Sequence, residues 1–374
     1  MTSSHDIPAP MRRALALAER ARLICPPNPA VGCVLTDASG ASIGEGCTQA
    51  VGSAHAEIMA LRDAAARGHS TVGACAWVTL EPCAHHGRTG PCCEALIAAG
   101  VQRVVAAAQD PNPLVAGRGL ARLGAAGVHV ALAGEAAQRA TRALNLGFFK
   151  RMELGTPWVR LKAAASLDGR TALPNGASQW ITGEAARADV HHWRARACAV
   201  MSGSGTVLAD DPLLNARVDG LPRQPLLVIC DSALRTPPTA RLWGVAGRRV
   251  LIAHAARDAA REAALQKQGA ELLHLPAADG RSVELPALLA QLAARECNEV
   301  HLEAGARLAG TMLTAGLVDE VLLYQAPLLL GAGAPIAALP AFDAVGQGVR
   351  LHWHEVQRIG ADVRLRGFLG ADGL

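Results

Sequence analysis

What most restricts the fold of this chain is the alternation of short apolar runs with helical patterns along its whole length. "VGCVLTD" (31–37), "ACAWVTLEP" (74–82), "RVVAAAQD" (103–110) and "VHVALAG" (128–134) read as buried strands. "MRRALALAER" (11–20), "AEIMALRDAAARG" (56–68) and "CCEALIAAG" (92–100) read as helices, and a further helix is expected over 135–152. Strands separated by helices of this length predict an α/β fold, a mostly parallel sheet with helices on its faces. After "MELGTPW" (152–158) a fresh set begins. "WVRLKAAASLDGRTAL", "PLLVICDS", "RRVLIAHA", "NEVHLEAG" and "DEVLLYQAP" read as strands, with helices expected at 183–198 and 305–316. Gly155 and Pro157 break the periodicity, so a boundary is expected near 147–156 and the domains as 1–150 and 151–374. A length of 374 residues is itself more than one hydrophobic core usually organises.

Composition narrows the class. Hydrophobic residues at 51% and charged ones at 18% provide ample buried core, but only 3% are aromatic, so Ala, Val and Leu must fill it. No apolar run approaches the roughly 18 residues of a membrane span. The first twenty residues contain no long apolar stretch, which points to the cytoplasm. A net charge of +4, with basic and acidic residues interspersed, asks for no nucleic acid and suits a small anionic substrate as well. Ten cysteines in such a chain are better read as buried thiols or metal ligands than as disulfides.

Two segments carry metal chemistry. In "SAHAEIMALRD" (53–63), Ser53 is expected to cap a helix whose first turn holds His55 and Glu57. In "TLEPCAHHGRTGPCC" (79–93), Cys83 follows a strand, and Pro91 suits the first position of the helix "PCCEALIAAG", placing Cys92 at that helix's N-terminus. One imidazole and two thiolates give three ligands, leaving a tetrahedral zinc one open position for water, as a catalytic site requires. Glu57 is placed to act as general base, taking a proton from that water and returning protons to the ring nitrogen and the leaving amine. Cys93 is expected to pack, and His85 and His86 to lie on a polar loop rather than ligate the metal. Asn28 in "PPNPAVG" suits either a turn or the edge of a pyrimidine. Cys25, Cys33, Cys47, Cys75, Cys198, Cys230 and Cys297 read as small buried hydrophobes.

The zinc nucleobase deaminase signature is H-x-E…P-C-x-x-C, whereas here eight residues separate Cys83 from Cys92. "HAE…TLEPCAHHGRTGPCC", with "NPAVGCVL" (28–35) and "DPNPLVAGRGLARLGAAG" (110–127), resembles the deaminase half of the bacterial bifunctional riboflavin biosynthesis family, diaminohydroxyphosphoribosylaminopyrimidine deaminase and aminophosphoribosylaminouracil reductase. That family has this longer insertion. The second half contains no complete G-x-G-x-x-G fingerprint. "EAGARLAGTML" does follow an apolar strand and open a helix, a geometry that presents backbone N–H groups to a phosphate. "LKAAASLDGRTAL" (161–173), "SQWITGEAARADVHHWRA" (178–195), "GSGTVLADDPLLNAR" (203–217) and "EAGARLAGTMLTAGLVDE" (303–320) resemble the family's reductase half.

The resemblance implies a cytidine-deaminase-like three-layer α/β/α domain followed by a dihydrofolate-reductase-like α/β domain, with one Zn2+ per chain and NADPH as cofactors. It places Ala164, Trp180, Thr206, Asp210, Ser232, Gly305, Ala306, Arg307, Leu308, Ala309, Gly310 and Thr311 on NADPH. Ser178, Arg194, Leu214, Arg217 and Glu303 would line the substrate, a pyrimidine ribosyl phosphate. It also implies a homodimer. On physical grounds Arg194 and Arg217 are fork-shaped donors suited to a phosphate. Trp180 is either a cover for the cofactor or a core residue. Lys162, inside an apolar strand, needs a carboxylate or substrate partner.

Overall fold

The computed structural model of the chain describes residues 7–84, 90–113 and 115–370, so His85 and His86 lie outside the described residues. The chain divides into two compact units between Gly155 and Thr156, within the expected boundary region.

The first unit contains α1 (Ala9–Ala21), β1 (Gly32–Thr36), β2 (Ser42–Cys47), α2 (Ala56–Ala66), β3 (Cys75–Leu80), α3 (Cys92–Ala98), β4 (Arg103–Ala108), α4 (Arg118–Ala125), β5 (His129–Leu132), α5 (Glu135–Leu144) and α6 (Leu146–Leu154). Its sheet runs β2-β1-β3-β4-β5. β3, β4 and β5 are parallel, and β1 is antiparallel to both its neighbours. Alternation along the strands builds two cores. Val34 and Val105 meet α1 and α5 on one face. Cys33, Leu35, Ala76, Val104 and Ala106 meet α2, α3 and the aromatic pair of α6 on the other, giving three layers.

β2 departs from the sequence reading, which assigned no strand there. Its "SIGEGC" lacks the β-branched and aromatic signature because a helix lies directly on it. A Cβ on Gly46 would come within 2.4 Å of the Ala56 carbonyl oxygen, and one on Gly44 equally close to that of Ala60. Only glycine admits α2 at this distance, and the first turn of α2 carries the candidate site. The helix expected over 135–152 is two helices. Asn145 interrupts it, its side chain exchanging hydrogen bonds of 2.7 and 3.0 Å with the backbone of Ala30.

The second unit contains β6 (Trp158–Ala165), β7 (Arg170–Ala172), α7 (Glu184–Arg196), β8 (Ala199–Gly203), α8 (Ser204–Asp210), β9 (Leu226–Cys230), β10 (Val250–His254), α9 (Ala259–Lys267), β11 (Ala270–His274), α10 (Leu285–Ala294), β12 (Glu299–Leu302), α11 (Ala306–Thr314), β13 (Glu320–Gln325), β14 (Ala334–Pro335), β15 (His352–Ile359) and β16 (Asp362–Phe368). The large sheet is ordered β11-β10-β9-β8-β12-β6-β13-β16-β15. It is parallel from β11 to β13, and β16 and β15 add antiparallel pairings. α10 and α11 cover one face. α7, α8 and α9 cover the other. β8, β11, β15 and β16 were not read from the sequence: "AVMSG" is short, and "HWHEVQRI" is exposed along most of its length, so neither shows a clear apolar run.

One stretch of the α7 face is ionic. Arg160, fully buried, bonds Glu320 and Glu299 at 2.9 Å each. Trp193 of α7 is packed by the guanidinium groups of Arg160, Arg196, Arg364 and Arg366. Burying Arg160 is tolerable only because both carboxylates neutralise it.

Candidate active sites

The first site collects at the carboxyl end of β3 and the start of two helices. His55, not Ser53, is the N-cap of α2, and it makes no side-chain capping bond. Its ring is therefore free to face Cys83 and Cys92, with Nδ1 3.6 Å from the first sulfur and 3.3 Å from the second. Pro91 takes the N-cap position of α3, one residue earlier than read, and Cys92 is its first residue. The Cys92 backbone N–H donates to the Cys83 sulfur at 3.4 Å. The ligand atoms of His55, Cys83 and Cys92 lie within 4.8 Å of one another. That donor set, soft sulfur with imidazole in a three-ligand arrangement, fits zinc with a position left open.

Electrostatics agree with ligation. A hydrogen bond from Cys92, together with His55, draws the Cys83 thiol well below its usual range, while the same bond and burial push Cys92 up. Glu57, in the first turn of α2, is 4% exposed. Burial, followed by the charge of Cys83, raises its carboxyl to about 7. Cys93 packs in the core, as expected. The Asn28 N–H donates to the Cys25 carbonyl in a turn.

Glu81 was missed in the sequence. Its carboxylate accepts from the backbone N–H groups of Asp110, Gly117, Gly119 and Leu120 at 2.9–3.2 Å, capping α4 from across the sheet. It thereby ties the 110–120 segment to the chain two residues before Cys83. The approach is close: a Cβ on Gly119 would lie 1.8 Å from the Pro82 carbonyl oxygen.

The second site follows the carboxyl edge of adjacent strands, where open α/β sheets bind ligands. Ala164 is the last but one residue of β6, Gly203 ends β8, Thr206 lies in the first turn of α8, Ser232 follows β9, and Glu303 and Gly305 follow β12. Gly305 is the N-cap of α11 with no side-chain cap, so first-turn N–H groups from Ala306 onward are open to a phosphate. Gly310 lies further along α11, where a Cβ would strike the Ala338 carbonyl at 2.1 Å. Arg307 and Thr311 share an internal bond, the hydroxyl of Thr311 donating to the Arg307 carbonyl at 3.0 Å. Leu308 is half-buried and Ala309 fully buried on the core side of this helix.

The structure brings Arg194, Glu303 and Lys162 together. Arg194 grips Glu303 with two bonds of 2.5 and 2.8 Å, and Lys162 Nζ stands 3.9 Å from the same carboxylate, the partner its burial required. Arg217 and Leu214 join them through the backbone, because Arg194 also donates to the Asn215 carbonyl at 3.0 Å. Asp210 is the exposed last residue of α8. Ser178 and Trp180 lie on the segment between β7 and α7. Trp180 is 69% exposed with the Arg187 guanidinium over its ring, so it is not a core residue.

Together these features define a zinc-type deaminase unit followed by a reductase unit that takes a nicotinamide cofactor. Residues 5–108 match the cytidine and deoxycytidylate deaminase zinc-binding region, and residues 157–365 match the RibD C-terminal domain. The chain is 45% identical to the riboflavin biosynthesis protein RibD of Escherichia coli, over 95% of this chain and 97% of that protein. It is 42% identical to that of Haemophilus influenzae over 95% of both. Among solved structures, RibD of Acinetobacter baumannii superposes with a TM-score of 0.87 at 41% identity, covering 97% of this chain and 98% of that one. A Thermotoga maritima diaminohydroxyphosphoribosylaminopyrimidine deaminase/5-amino-6-(5-phosphoribosylamino)uracil reductase superposes at 0.82 with 28% identity, covering 96% and 98%. The chain belongs to the RibD family of bifunctional riboflavin biosynthesis proteins.

Proposed function

We propose that the first unit hydrolyses the 2-amino group of 2,5-diamino-6-ribosylamino-4(3H)-pyrimidinone 5′-phosphate and that the second reduces the ribosyl group of the product with NADPH. The observation that carries the reading is the convergence of His55, Cys83 and Cys92 beside a buried Glu57. These three residues would hold zinc, which when bound acts as the Lewis acid that makes water nucleophilic at neutral pH. Glu57 moves the protons. Its buried carboxyl takes one proton from the attacking water and passes it to the ring nitrogen, then carries the remaining hydroxyl proton to the departing amine, which leaves as ammonia.

In the second unit, the open N–H groups of α11 would take the cofactor's phosphates, and Ala164, Thr206, Asp210 and Ser232 would border it, with Trp180 at the rim. Glu303 orients the Arg194 fork while Arg194 and Arg217 bind the substrate's phosphate. Ser178 and Leu214 would complete the substrate's surroundings. The ten cysteines, all free, suit a reducing cytoplasm, and among the described residues no helix is long and apolar enough to cross a membrane. The working form is a homodimer, which light scattering of the purified chain would test.

The deciding experiment supplies the pyrimidine phosphate to zinc-loaded protein. Ammonia should appear without cofactor, and NADPH should be oxidised only afterwards. NADPH consumption before ammonia release, or no ammonia at all, would refute the reading.

A further inference from the structure

Residues Leu213–Arg217 lie outside every strand and helix, and side chains from other segments hold their backbone. The Arg248 guanidinium donates to the Leu213 carbonyl. Gln224 exchanges bonds of 3.0 and 2.9 Å with the backbone N–H and carbonyl of Ala216. Arg194 donates to the Asn215 carbonyl, and the Arg217 N–H donates to His191 Nδ1 at 3.2 Å. Within the segment Leu214 has a φ of 49°, in the left-handed region that non-glycine residues seldom adopt. The strap therefore keeps its course only while these hooks are in place. At its end the Arg217 side chain is exposed and bonds only Asn215 Oδ1, at 3.3 Å, among the partners described.

His191 and Arg194 are one turn apart on α7 and hold the strap from the same side. We propose that His191 is a positioning residue for the substrate's phosphate: its unprotonated Nδ1 fixes the Arg217 backbone, so that the Arg217 fork is presented beside that of Arg194 as a ready-made seat for a dianion. Burial and the two neighbouring guanidinium groups keep the imidazole neutral, with its pKa down to about 4, so the acceptor is available throughout the working range. A protonated Nδ1 would carry a hydrogen and could no longer accept from the Arg217 N–H. The inference rests on the reading of Arg217 as a phosphate ligand.

The test uses the full-length, zinc-loaded protein and compares the deaminated ribosyl phosphate with its unphosphorylated ribonucleoside as reductase substrates at saturating NADPH. In His191→Leu the KM for the phosphate should rise at least about tenfold while kcat falls less than about twofold, the pattern of lost ground-state binding. The KM for the nucleoside should move little, and His191→Asn, whose Oδ1 sits where Nδ1 does and can accept the same N–H, should restore most of the preference. Gln224→Ala, which cuts a different hook, should show the same split to a smaller extent and serves if His191→Leu does not fold. Equal losses on both substrates, or no rescue by Asn, would overturn the inference while leaving the phosphate reading standing. If Arg217→Ala also keeps the preference for the phosphate, the reading of Arg217 fails and the inference fails with it.

Discussion

The two active sites are assembled in opposite ways. The deaminase site draws four residues from two short segments, and three of their side-chain atoms lie within 4.8 Å of one another. The proposed reductase site would draw on residues from Ala164 to Thr311, carried at the ends of β9, β8, β12 and β6, which are neighbours in one sheet. Ligation demands particular side-chain atoms at fixed offsets, whereas a nucleotide cofactor is met largely by backbone at strand ends. The contrast implies that the two activities separate cleanly under attack. Dialysis against a zinc chelator should abolish ammonia release and leave NADPH oxidation with the deaminated substrate intact. Loss of both activities together would break the comparison. Because the ligands must shed protons to bind metal, chelation should also become easier as the pH falls.

Glu57→Gln sharpens the same contrast without touching the ligands. Deaminase kcat should drop by roughly 10³-fold, the scale of a lost general acid–base group. Zinc content measured by atomic absorption should stay at one per chain, and reductase kinetics should not change. An active Glu57→Gln enzyme would remove Glu57 from the proton path.

That difference in construction also explains what could be read in advance. The grouping of His55, Cys83 and Cys92 could be anticipated because the two short segments carry recognisable ligand types, and many, though not all, of the buried strands showed as apolar runs. β2 was hidden because helix contact replaced its side chains with Gly44 and Gly46. Glu81 was hidden because its work is done on backbone N–H groups far along the chain, which leave no residue-type signature. The candidate reductase residues came only from the resemblance, which gave no role to His191, Gln224 or Arg248, because these bond the backbone of a strap that forms only with the sheet.

The buried ions carry the comparison into stability. Arg160→Met leaves Glu320 and Glu299 short of a partner inside the second unit, although Arg366 and Arg196 still reach them. Removing one member of such a set should cost about 3 kcal/mol and lower the Tm of the second unit by roughly 6–12 °C. Calorimetry should find the first unit's transition unmoved. A shift below about 2 °C would mean that the remaining pairs compensate and that the network is redundant.

The smallest effect is one of sign, and it sets the two units against each other. In the second unit, burial of Glu303 and Glu299 is outweighed by Arg194 in one case and by Arg196 and Arg160 in the other, so both carboxyls are held below their usual range. A depressed folded pKa contributes stability that is complete above the unfolded value and is lost as the pH falls through the folded one. In the first unit burial, reinforced by Glu81 and Cys83, lifts Asp110 to about 7. A raised folded pKa contributes stability that is complete below the unfolded value near 3.9 and is lost as the pH rises through about 7. Thermal melts of metal-free protein between about pH 3 and 8 should therefore move in opposite directions, the second unit weakening below about pH 4.5 and the first weakening between about pH 4 and 7. Asp110→Asn, neutral at every pH, should lessen this loss in the first unit alone, the part that remains coming from Glu57, whose carboxyl is raised to about 7 as well. If the two transitions instead follow pH in parallel, the opposed electrostatics of the two sites do not govern the stability of their units.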